Sequence, residues 1–91
     1  MTEDSADLIR ARSQAILIHF LSEDLDLAHL VLSGAITSLD RAYIEAAVEN
    51  ARASLNVARR LTWRIEELGP QREIHRRIHD LHAALSEYLA I

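Results

Sequence analysis

This chain of 91 residues encodes an all-α protein, a three-helix antiparallel bundle, and three features lead to that expectation. Two glycines and one proline leave little room for loops. The hydrophobic residues, 49% of the chain, are mostly Ala and Leu with few aromatics, the composition of helices rather than of sheets. Apolar residues also return at alternating intervals of three and four, the period of a helix face.

Helix one is expected to be long. Ile18, Leu21, Leu25, Ala28, Leu32, Ala35 and Leu39 keep an unbroken 3-4-3-4-3-4 spacing. That spacing passes straight through "SEDLD" (residues 22–26), where Ser22 could otherwise cap a new helix. A second apolar line, Ile9, Ile16, Phe20, Leu27 and Val31, lies well over 90° around the same helix at roughly 100° per residue. Two helical companions in a bundle need only one broad stripe from the third. A helix that is apolar on two faces therefore predicts a second copy, most simply in a two-fold dimer. Asp26, His29 and Ser33 are left for the narrower polar strip.

Ser38 or Asp40 is the expected N-cap of helix two, with a turn near 38–40 and a helix from about 41 to 68. Its apolar face comprises Ile44, Ala47, Val48, Ala51, Leu55, Ala58, Leu61, Ile65 and Leu68, and the alanines allow a close helix approach. Trp63 breaks this pattern and projects on the polar side. It is expected to be capped by the chain start or stacked on Arg59 one turn earlier, or else to be a contact hot spot. Trp63, Arg59, Phe20, Leu27 and Val31 are thus the candidate interaction residues.

The stretch "EELGPQRE" supplies the last boundary: Gly69 is expected to stop helix two in a left-handed conformation and Pro70 to open helix three. Helix three, shorter, is expected over about 71–89, with an apolar line of Ile74, Ile78, Leu81, Leu85 and Leu89. Beside that line His75, His79 and His82 share a strip about 60° wide. As a group they are candidate ligands for Zn²⁺ or a similar divalent ion, with Asp80, Glu87 or His19 as further donors. No other cofactor is implied. The competing reading makes them rim residues of a helical seam, with a pH dependence if that seam joins subunits.

Two short resemblances touch the same helix. "IHRRIHD" (residues 74–80) resembles the phosphoacceptor helix of one class of sensor histidine kinases, which implies phosphorylation of His79 beside Asp80 by a separate partner. "RIHDLH" (residues 77–82) is similar in its R-x-x-x-x-H spacing to small helical HEPN-type ribonucleases, which implies a pair of Arg77 and His82 acting across a dimer.

Composition narrows the function classes. There are no cysteines, hence no disulfide framework and no thiolate metal site. No leader or long uncharged apolar run stands out, so a cytoplasmic protein without membrane association is the expectation. All ten basic residues are arginine and the net charge is −4, against general nucleic-acid affinity. Arg59, Arg60, Arg64, Arg72, Arg76 and Arg77 nevertheless crowd around Gly69-Pro70, where the acidic chain start (Glu3, Asp4, Asp7) is expected to neutralise them. With no nucleophile beside a base and no phosphate-binding glycine loop, the chain reads as a single non-catalytic helical domain over 1–91. Its expected partners are a second copy or another protein, with metal binding as the alternative.

Overall fold

The structure, a computed structural model, describes the backbone of residues 2–90 and the side-chain surroundings of residues 5–89. Three helices, α1 (Thr2–Ala35), α2 (Arg41–Leu61) and α3 (Leu68–Ala90), form an antiparallel bundle, with a single 3-10 turn at Thr62–Arg64 between α2 and α3. The molecule is a rod of 59 × 20 × 16 Å. Most of that length is α1, whose 34 residues rise about 51 Å at 1.5 Å each. No helix of the described residues is long and apolar enough to cross a membrane.

Helix α1 runs through Ser22 without a break, as its 3-4 spacing requires. One of its two apolar lines forms the core: Leu21, Leu25, Ala28 and Leu32 are buried against Ala51, Leu55 and Ala58 of α2 and Ile74, Ile78, Leu81 and Leu85 of α3, and Ala35 is buried at the end of the helix. Leu39, the last member of that line, falls beyond the helix and is fully exposed. α1 ends four residues before Leu39. The end is satisfied locally, with Ser38 N–H donating to Ala35 O at 3.0 Å and the Thr37 hydroxyl to Gly34 O at 3.1 Å, in the i→i+3 pattern of a tightening last turn. Gly34 leaves space at this corner, since a β-carbon there would stand 3.3 Å from the Tyr43 hydroxyl.

Asp40 is the N-cap of α2: its carboxylate accepts from the backbone N–H of Ala42 and Tyr43 at 3.0 and 3.3 Å. Such a cap satisfies donors that a helix start leaves free. Ser38 serves one step earlier and accepts from Asp40 N–H at 3.0 Å.

The largest departure from the sequence expectation is the second boundary. α2 stops at Leu61, not near residue 68, and α3 begins at Leu68. Gly69 has no positive φ; with Pro70 it lies inside the first turn of α3. Pro70 costs nothing there, because the first four N–H groups of a helix have no internal partner. The break occurs where side chains capture the backbone. The Gln71 side-chain amide Nε2 donates to Ile65 O at 3.0 Å and to Thr62 O at 3.5 Å. From α1, Gln14 Nε2 donates to Arg64 O and Gln14 Oε1 accepts from Glu66 N–H, both at 2.9 Å. Freed from the helix, Ile65 turns extended and drops into the core at 2% exposure. Leu68 moves outward instead and is exposed, as is Leu89 at the far end of α3. The shifted boundary also makes α3 (23 residues) longer than α2 (21 residues).

Candidate functional site

The second apolar line of α1 has no cover within the chain. Ile9 is 66% exposed, Ile16 69%, Phe20 48% and Leu27 57%, and Leu30, which the sequence expectation omitted, 70%; Val31 is half-buried. All five exposed side chains stand on one uninterrupted helix, turned away from the buried line by well over 90° at about 100° per residue. Ala15, Ile16, His19, Phe20 and Glu23 line a shallow apolar depression on it. These side chains are aligned on one rigid element, unlike singly scattered surface leucines, which are ordinary in folded proteins.

Beyond Gln14, where the link is bound, α1 continues toward its N-terminus, and every residue from Ser5 to Ser13 is exposed. Arg10 is the exception to its isolation, pairing with Glu66 at 2.7 Å; that hydrogen bond and charge raise the Arg10 pKa. The polarity is the reverse of the expected one, since a base of α1 here meets an acid of the link. The acidic residues Glu3 and Asp4 lie outside the described side chains. Among the described residues Arg59, Arg60, Arg64 and Arg72 have no ion-pair partner, so this end of the bundle keeps a basic surface.

Trp63 belongs to that end. It sits on the 3-10 turn rather than on α2, is 71% exposed, and meets His75 edge-on with ring centroids 4.9 Å apart. The contact in the structure is thus with α3, in place of the expected stacking on Arg59. Shortening of α2 is the reason: past Leu61 the helical register that would have set Trp63 over Arg59 no longer holds.

The three histidines diverge in their surroundings. His75 is half-buried against Trp63, whereas His79 is exposed and His82 borders a groove with Arg52, Leu55, Asn56, Arg59 and Leu85. Among the described residues no group of three or more His, Asp or Glu side chains is placed to hold a metal ion. His79 has Asp80 as its neighbour, but Asp80 is engaged by Arg76 at 3.0 Å. Arg77 points across α3 to Asp26 of α1 at 3.4 Å and to Glu73 at 3.4 Å, so it does not converge with His82.

Those ion pairs change the reading of α1's polar strip. Asp26 and the half-buried His29 line a cleft with Arg76, Arg77 and Asp80, so this part of the strip borders the α1–α3 seam, while Asp26 and Ser33 themselves stay exposed. Arg76 is gripped by Glu73 and Asp80 together. Its guanidinium, hydrogen-bonded to Glu73, holds that carboxyl below the usual carboxylate range, and Arg77 adds to the effect. Sequence spacing could have found the Arg76 part, since Glu73 and Asp80 lie three and four residues away on the same helix. The Asp26–Arg77 contact depends on how two helices are rotated against each other, which spacing on one helix does not contain.

In comparisons with known proteins, no family, no curated protein and no solved structure matches this chain.

Proposed function

We propose that the chain is a non-catalytic assembly module whose working surface is the outer face of α1 and whose partner is a second copy. One observation carries this reading: Ile9, Ile16, Phe20 and Leu27 are all about half exposed or more on a helix whose opposite face is already fully used by the core. Burying a side chain of this size contributes about 1.5–3 kcal/mol. A pairing that covers four of them on each copy therefore has a driving force large enough to offset the several kcal/mol lost on association. Closed two-fold pairs are the commonest way in which soluble proteins use such a surface.

The test is a charge placed in the middle of the face. Ile16→Glu leaves the core untouched, so helicity by circular dichroism should stay as in the parent, while the mass by light scattering should fall from that of a dimer to that of a monomer. A parent and variant of equal mass would remove the reading.

A second reading concerns the other end of the bundle and is favoured by Trp63. An indole 71% exposed, close along the chain to Arg60 and Arg64, neither of which has an ion-pair partner among the described residues, suits the centre of a contact with an acidic protein segment, because Trp and Arg dominate the energetic centres of interfaces. Trp63→Ala should leave the dimer mass unchanged and abolish any salt-sensitive binding of acidic protein at this end.

A further inference from the structure

Four of the exposed apolar residues on the outer face of α1 are spaced symmetrically, with Leu30 lying outside the pattern. Ile9, Ile16, Phe20 and Leu27 are separated by seven, four and seven residues, so the pattern is the same from either end, and its midpoint is the level of Ile18. An apolar seam with this property matches itself when a second copy is turned end over end. Ile9 of one copy then meets Leu27 of the other, and Ile16 meets Phe20.

The charges beside the seam distinguish this arrangement from a parallel one. At about 100° per residue, Arg12 and Glu23 stand roughly 60° and 40° to one side of the apolar line, and Ser13 and Asp24 roughly 40° and 60° to the other. A two-fold axis between antiparallel helices keeps like sides together. Arg12 of one copy then comes level with Glu23 of the other, to within about one residue's rise of 1.5 Å, and Ser13 comes level with Asp24. Parallel copies exchange the sides. Glu23 would then face Asp24 of the other copy at both edges of the seam, a like-charge juxtaposition that disfavours that pairing.

Two features of the single chain agree with the antiparallel register. Arg12 has no ion-pair partner among the described residues, and Glu23 is engaged only by His19, at 3.1 Å on the same helix. Ile9 lies on the part of α1 that extends past the link, where every residue from Ser5 to Ser13 is exposed; in the antiparallel pair it is laid on Leu27 midway along the second molecule.

We infer that two copies pair antiparallel through the outer faces of α1, about an axis at the level of Ile18, with Arg12 of each copy set against Glu23 of the other. This rests on the assembly reading above and adds orientation, register and the charged contacts that select them.

The chain has no cysteine, which makes disulfide trapping clean. Full-length chains carrying Ser13→Cys and Asp24→Cys are prepared separately, then oxidised alone and as a mixture. The mixture should yield the S13C–D24C disulfide, because the two sites come level across the seam. S13C alone should stay uncrosslinked, since its two sites are about 15 Å apart along the helices, beyond the reach of a disulfide. Self-crosslinking of S13C in a protein of dimer mass, or a dimer in which the mixture fails to crosslink, overturns the antiparallel register and leaves the assembly reading standing. A monomer mass without any disulfide overturns both. A charge exchange gives an independent readout: Arg12→Glu should weaken the dimer about tenfold or more, and adding Glu23→Arg should restore it. A double variant as weak as R12E refutes the pairing of these two residues.

Discussion

Replacing Gln14 by Ala removes both hydrogen bonds that tie the α2–α3 link to α1, and its consequence separates the structure from the continuous-helix expectation. In a helix two running to residue 68, Arg64 O and Glu66 N–H would be bonded within the helix and Gln14 would have nothing to hold. In the structure its amide makes two bonds of 2.9 Å to those groups, from a half-buried position. Each such bond contributes about 0.5–1.5 kcal/mol net, so Gln14→Ala should cost roughly 1–3 kcal/mol. In urea, with a slope of about 1 kcal/mol per molar, the unfolding midpoint should fall by roughly 1–3 M with the slope unchanged. Chain concentration must be matched, because the proposed pairing would add stability by mass action. Gln14→Glu keeps the acceptor for Glu66 N–H but loses the donor to Arg64 O and adds a charge beside Glu66, so it should be no better than alanine. A Gln14→Ala midpoint indistinguishable from the parent would refute the clip and the link geometry built on it.

Two further outcomes follow from the same structure. Thr62 is buried with its hydroxyl lacking a partner among the described residues; Thr62→Val keeps the shape and removes that polar group, so thermal unfolding should show an unchanged or higher Tm, and a clear fall would contradict it. Glu73 is held ionised below its ordinary range by Arg76, so its stabilising effect is complete above the unfolded carboxylate pKa of about 4.3 and is lost as pH falls through the lower folded value; an acid titration of Glu73→Gln should show a shallower loss of stability in that window than the parent, and parallel curves would argue against it.

The parts of this molecule written in periodicity could be read without coordinates. The unbroken α1, its two apolar lines and most of the buried faces of α2 and α3 follow from spacings of three and four on a single helix, where neighbours along the chain are neighbours in space, and capping residue types mark the start of α2 without choosing between Ser38 and Asp40. The α2–α3 boundary did not follow, because Gly69-Pro70 is the stronger local signal while the actual break is fixed by Gln14 and Gln71 reaching across from other helices. Local propensity gives way to such captured backbone groups. The same limit applies to the charges. Arg76 with Glu73 and Asp80 lies within one helix, but Arg10 with Glu66 and Arg77 with Asp26 are set by helix rotation. Even the histidine strip, regular in sequence, resolves into three different environments once α2 and the 3-10 turn are placed beside it.

Sedimentation equilibrium of the unmodified chain over a wide concentration range addresses the outer face of α1 most directly. A single chain weighs 10.3 kDa. The account predicts a species of twice that mass which dissociates only on dilution. A protein that stays at 10.3 kDa at every concentration, with Phe20 and Ile16 in water, would contradict it.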